Sequence, residues 1–283
     1  MEKKNCYDLK KIIFNDGFLN NSVDATYIIH LEGNGRLPDI QKQLNEYHPT
    51  NIVYILFNKG YKKCYKNENI KNSAHDLVDA FLEIFKDANK KNYENILILE
   101  DDFIFNPKIK NSRHLKNVNH FLYKNKEYNF IYLLGAIPGL QIPFDYYNNI
   151  IYSSCGTHAV IYSKKNRDET LNYIISHNIT DWDIYNNFKF NRYTYYSPLC
   201  YQLFPDTENK KNWGRDKGVL LVYSTSIQKI IFNFLNLDKK CEPGYSYFYY
   251  FSKILFYLLL ILFLILLYFI IYKIYKNNKK SKR

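Results

Sequence analysis

Cysteine is scarce in this chain. The five residues, Cys6, Cys64, Cys155, Cys200 and Cys241, are odd in number and scattered, and their spacing implies neither a disulfide framework nor a cysteine-based metal site. The opening decapeptide, Met1-Glu-Lys-Lys-Asn-Cys-Tyr-Asp-Leu-Lys, lacks the apolar core of a signal peptide. No arginine-rich helix and no zinc-finger spacing accompanies the net charge of +12, so no nucleic-acid partner is expected. No internal repeat and no Gly/Ser linker divides the chain, and 283 residues suit one medium domain with accessory segments.

The most informative absence lies near the end. From Ile254 to Tyr272 there is no charge, no proline and no glycine, only Leu, Ile, Phe and Tyr. At helical rise these residues span about 28 Å, close to the ~30 Å hydrocarbon thickness of a bilayer. A buried core helix would show a polar stripe, and none is visible. The stretch therefore predicts a transmembrane helix. Tyrosines 245, 247, 249 and 250 on one side and 268, 272 and 275 on the other suit the two interfaces. Lys273, Lys276, Lys279, Lys280, Lys282 and Arg283 follow and carry half of the net charge, which suits anionic headgroups of a lipid membrane.

The orientation of that helix has two readings. Insertion by the carboxyl-terminal helix after synthesis leaves residues 1–250 in the cytosol, and this single-pass arrangement is the expectation adopted. The positive-inside rule pulls the other way, and would expose the sequons Asn20-Asn21-Ser22 and Asn178-Ile179-Thr180 to glycosylation.

Ahead of the anchor, apolar runs and amphipathic stretches alternate. Tyr27–Leu31, Asn51–Phe57, Ile96–Leu99, Ile131–Gly135 and Ala159–Tyr162 read as strands. Leu37–Tyr47 reads as a helix with a proline in its first turn, and the segment after Ser73 as a second, opened by a Ser73/Asp76 capping box. A third helix runs from about Lys164 to Ser176. Alternation of this kind implies an α/β fold with a mostly parallel central sheet.

The strand Ile96–Leu99 stops at Glu100-Asp101-Asp102. Three adjacent carboxylates raise one another's pKa unless a cation or hydrogen-bond donors meet them, and strand ends are where ligands bind in open α/β sheets. Mg2+ and Mn2+ take oxygen ligands, often one or two carboxylates plus a substrate diphosphate. The cluster reads as a metal-diphosphate site, the alternative being an acidic edge that faces water.

Several ordered motifs surround it: Arg36 after the first strand, Ser73-Ala74-His75, the Leu-Glu-Asp-Asp run at 99–102, Gly156-Thr157-His158-Ala159, Asp181-Trp182-Asp183, and Pro198-Leu199-Cys200-Tyr201-Gln202. In this order they resemble the family 25 glycosyltransferases, the lipopolysaccharide- and collagen-type sugar transferases, and in particular the divergent members of large DNA viruses. The resemblance covers residues 25–215. It implies a GT-A-like nucleotide-sugar-binding domain that moves a hexose from a nucleotide diphosphate donor, typically UDP-linked, to a hydroxyl of a glycan or protein acceptor with inversion. It also implies Mn2+ (or Mg2+) as cofactor, held by Asp102 and Glu100, and a donor site of Arg36, His75, Glu100, Asp101 and Gln202. The chain departs from the family at 72–76, where Asn-Ser-Ala-His-Asp replaces Gly-Cys-x-x-Ser-His.

An inverting transfer needs a base for the attacking hydroxyl. Asp181 and Asp183 are the candidates, flanking Trp182, whose ring could stack on a sugar; the alternative for the pair is a helix cap. His30, His75 and His158 read more readily as packing residues. Gln202 and Trp213 could line the acceptor side. The expected organisation is an N-terminal extension (1–24), the GT-A-like domain (25–225), a juxtamembrane segment (226–251), the transmembrane helix (252–272) and a basic tail (273–283) in a host or virion membrane. A non-catalytic membrane or virion protein that kept the sugar-nucleotide fold is the alternative, and a metal-dependent phosphodiesterase a further one, although its extra His/Asp ligands are missing.

Overall fold

The computed structural model describes residues 6–204 and 228–281. A seven-stranded sheet runs in the order β1 (Tyr7–Ile13), β3 (Ile52–Asn58), β2 (Ala25–Leu31), β4 (Asn95–Glu100), β7 (Asn148–Ser163), β6 (Ile131–Pro143), β8 (Arg192–Tyr195). β2 and β4, buried on both faces, are near-continuous apolar runs, as central parallel strands are. Helices α1 (Leu37–Glu46) and α3 (Ser112–Lys124) cover one face through Ile40, Leu44, Val118 and Phe121. Helices α2 (Ser73–Lys90), α4 (Lys164–Tyr173) and α5 (Trp182–Asn186) cover the other, where Phe81 and Phe85 pack against Ile98 and Tyr162. A two-stranded sheet pairs β5 (Phe103–Phe105) with β9 (Cys200–Gln202).

Mixed, rather than mostly parallel, describes the main sheet. β2 is parallel to β3 and β4, and β6 to β8, but β1–β3, β4–β7, β6–β7 and β7–β8 are antiparallel. Alternation of strands with helices holds only as far as β4. β6 and β7 are then joined by the short loop 144–147 with no crossover helix, and a connection that short permits only an antiparallel pair.

Two local expectations also change. Asn72, not Ser73, caps α2, its side chain accepting from the His75 backbone N–H at 2.9 Å, while Asp76 turns inward to pair with the buried Lys66. Cys6 and Cys64, whose spacing implies no disulfide framework, form a disulfide; they lie fifty-eight residues apart in sequence. The bond ties the start of β1 to the loop after β3, and Lys66 reinforces it by donating to Tyr7 Oη (2.6 Å) and Asn58 Oδ1 (2.8 Å). Closing a loop of this length restricts the unfolded chain by about 4 kcal/mol. Reduction, or Cys6→Ser with Cys64→Ser, is therefore expected to lower unfolding stability by up to that amount in denaturant titrations; an unchanged midpoint would show that the bond adds nothing.

At the carboxyl end, helix α6 (Gly244–Ser281) is continuous from the domain into the apolar segment and is long and apolar enough to cross a membrane. From Tyr257 to Asn278 every side chain is exposed.

Candidate active site

β4 ends at Glu100, hydrogen-bonded in register between β2 (Ile29 opposite Glu100) and β7 (Ala159 opposite Leu99). The parallel ends of β2 and β4 thus open onto the turn Asp101–Asp102, and β5 leads away from it to pair with β9, setting Gln202 opposite Phe103. On the other side β7 bulges. It advances from Cys155 to Ala159 while β6 advances only from Ile137 back to Gly135. Gly156 makes the bulge possible with a φ of +85°, a conformation that disfavours any side chain. Bulges re-aim side chains beside functional sites; here Thr157 turns toward β4 and its Oγ1 donates to Glu100 Oε1 at 2.8 Å.

The three adjacent carboxylates have separate surroundings. Asp101 is wholly engaged by the loop after β2. It accepts from Leu31 N (3.1 Å), Asn34 Nδ2 and Arg36 Nη1 (2.6 Å), with His30 Nδ1 at 3.5 Å. Burial alone would raise its pKa, but the hydrogen bonds and the Arg36 charge outweigh burial and hold it below the usual carboxylate range. Asp102 shares Arg36 Nη1 (2.9 Å) and accepts from Gln202 Nε2 (2.9 Å), both through Oδ2. Its Oδ1 is buried and has no partner among the described residues. Burial, only partly offset by Arg36 and Gln202, raises its pKa. Glu100 is raised well above the ordinary value by burial and then by the charges of Asp102 and Asp183.

Asp183 is the fourth member. The two aspartates of Asp-Trp-Asp separate: Asp181 caps α5, accepting from Ile184 N at 3.0 Å, whereas Asp183 points inward beside Thr157 and Glu100. Burial, then repulsion from Asp181, pushes Asp183 up to about 6, and its Oδ1 is buried with no partner among the described residues. Trp182 does not offer its ring to a sugar. It is a core residue stacked on Phe81 with ring centroids 4.4 Å apart, and its Nε1 donates to Tyr162 Oη.

The structure thus brings Arg36, Glu100, Asp101, Asp102, Asp183 and Gln202 together. It does not bring His75, which lies at the start of α2, where its Nδ1 meets Asn69 O and its ring lines another cavity with His177. Trp213 lies outside the described residues. Sequence reasoning missed Thr157, although an isolated glycine before it in a strand marks a bulge. It also missed Arg192, fully buried on β8, which binds Asn187 Oδ1 (2.8 Å) and Ser154 Oγ (2.5 Å) and lends its charge to Asp183. His158 is buried beside Gln202, its pKa pushed down to about 4 by burial, and its Nδ1 has no partner among the described residues.

Among the described residues no three His, Cys, Asp or Glu side chains form a ready-made metal cage. Mg2+ and Mn2+ bound against a diphosphate do not need one, since one or two carboxylates, water and phosphate oxygens complete their shell. Asp102 Oδ1, without a partner among the described residues and beside a Glu100 whose pKa burial and neighbouring carboxylates raise, fits such a role.

No family model and no curated protein matches the chain. Solved structures that overlay on it include A197 from STIV, at 14% identity over 64% of this chain and 85% of that one with a TM-score of 0.37. Another is a glycosyltransferase involved in the glycosylation of the major capsid of PBCV-1, at 14% identity over 66% of this chain and 96% of that one with a TM-score of 0.40. At that level of overlap neither similarity bears on function.

Proposed function

We propose that the chain is a membrane-anchored, metal-dependent glycosyltransferase that moves a hexose from a nucleotide diphosphate donor to a hydroxyl acceptor. One observation carries the reading: Glu100, Asp102 and Asp183 share a half-buried site with excess negative charge, and among the described residues one oxygen each of Asp102 and Asp183 is buried without a partner. A site of that kind attracts a cation on one side and a proton on the other.

Asp102 and Glu100 would hold the Mn2+ or Mg2+. When bound, the ion supplies Lewis-acid neutralisation of the departing diphosphate. Asp183 is the base. As the acceptor oxygen forms its bond to the anomeric carbon, the bond from that carbon to the diphosphate breaks, the nucleoside diphosphate leaves with the electron pair, and the hydroxyl proton passes to Asp183. A base poised near neutrality suits that step. Gln202 fixes the orientation of Asp102, Thr157 that of Glu100, and Asp101 holds Arg36 beside the place where diphosphate charge arrives.

The test incubates the full chain in detergent with Mn2+ and a panel of UDP- and GDP-sugars and follows free nucleoside diphosphate. Release from one donor, abolished by chelator, is expected. Metal-dependent donor binding without release, with acceptors supplied, would select the non-catalytic sugar-nucleotide module instead.

A further inference from the structure

Helix α6 is part of the site as well as the anchor. The Tyr245 side chain is fully buried, and its phenol accepts from Gln202 N (2.9 Å) and donates to Gln202 O (3.1 Å), the residue whose amide holds Asp102. One turn on, Tyr249 Oη meets Thr194 Oγ1 at 3.0 Å. Gln141 Nε2 donates to Tyr249 O (3.1 Å) and to Ser252 Oγ (2.7 Å), and Lys253 Nζ to Tyr196 O (2.6 Å). These contacts dock the first turns of α6 onto β6 and β8 without a linker. The helix is unbroken from there into the apolar segment.

The height of the site follows from arithmetic. Tyr245 and Ile254, the first residue of the uncharged run, are nine residues apart, about 14 Å at 1.5 Å per residue. The headgroup layer occupies roughly 5–8 Å of that distance, taking half the difference between whole bilayer and hydrocarbon thickness. Around the foot of the helix, Tyr250 and Phe251 are exposed, as are Ile230 and Phe234 on the helical residues 228–234, whose Phe232 packs in the same cluster as Tyr245. Exposed apolar side chains at the foot of a helix long and apolar enough to cross a membrane have one natural occupant, the lipid interface.

We infer that the acceptor is a lipid: a hydroxyl on a membrane-embedded molecule whose headgroup lies within reach of Asp183. This rests on the glycosyltransferase reading above. A rigid mount that holds the site within about 10 Å of the headgroup layer does nothing for an acceptor diffusing in three dimensions. It raises the effective concentration of one confined to the same plane. The reaction keeps its balance, with the lipid hydroxyl oxygen taking the anomeric carbon, its proton going to Asp183 and the nucleoside diphosphate departing.

The experiment reconstitutes the full chain in phosphatidylcholine vesicles containing ceramide, diacylglycerol and glucosylceramide. It adds Mn2+ and UDP-glucose or UDP-galactose labelled in the sugar, and partitions the products between organic and aqueous phases. Label in the organic phase is expected, and should fall at least tenfold when seven alanines, two helical turns, are inserted between Lys253 and Ile254. Calorimetric donor affinity of that variant should be unchanged, which certifies its fold. Label confined to an added soluble saccharide, donor binding with no organic label, or transfer indifferent to the insertion each overturns the lipid acceptor and leaves the site reading standing. Absence of any metal-dependent donor binding removes the site reading and the lipid acceptor with it.

Discussion

Asp183→Asn is expected to lower turnover by roughly 10²- to 10⁴-fold, the range over which a general base contributes, while donor affinity stays as it was. The same substitution should make the metal-free domain more stable at neutral pH. Burial and then Asp181 push the Asp183 carboxyl up from 3.8 to about 6. A carboxyl whose folded pKa lies above its unfolded value destabilises the native state once ionised. The penalty is absent below about pH 4, grows as the pH rises through 6 and is constant above it. The gap between the ordinary carboxylate value and about 6 sets its size at no more than about 3 kcal/mol. Melts in chelator should therefore show the asparagine variant above the parent at pH 7.5 and level with it near pH 4. Losing activity and gaining stability together is what a strained catalytic carboxylate does, whereas a structural aspartate removed from a buried network would cost stability at neutral pH. Full activity in the variant would end the base assignment.

Asp102→Ala should abolish Mn2+-dependent donor binding, a loss of more than about 100-fold, since the carboxylate is both the proposed ligand and the partner of Gln202 and Arg36. The domain should remain folded, because Arg36 keeps Asp101. Asp102→Asn separates the two duties. Its carbonyl oxygen still accepts from Gln202, so the local geometry survives, but the charge that a hard cation requires is gone. Calorimetry with UDP-sugar, with and without Mn2+, reads the difference. An alanine variant that binds donor with the parent's metal dependence would remove Asp102 from the site.

How much of this was legible beforehand varies by residue. β2, β3 and β4 were visible because central strands buried on both faces leave apolar runs, and the carboxylates at the end of β4 were visible because charge stops such a run abruptly. β1 was hidden: Tyr-Asp-Leu-Lys-Lys-Ile-Ile is an edge strand with one half-solvated face, and its charges resemble a polar extension. The long halves of β6 and β7 were hidden by Pro138, Gly139 and Pro143, and by the bulge at Gly156 that matters most to the site. Asp181 and Asp183 could not be told apart, because a cap and a buried base use the same residue in the same turn; only the direction each side chain takes from the helix start decides. The disulfide was beyond reach because it depends on where β1 pairs.

The pairing of β1 with β3 has a consequence for the solubility of the molecule. β3 is Ile-Val-Tyr-Ile-Leu-Phe-Asn, seven residues without a charge, and all seven are paired with Tyr7–Ile13. β1 presents Asp8, Lys10 and Lys11 outward, the kind of charged rim that stops one sheet from adding to another. A chain begun after Ile13 would keep every group of the site and yet bare that uncharged ladder to a second copy. The opening residues thus act as a guard against self-association, clamped in place by Cys6–Cys64 and Lys66 so that the guard cannot peel away.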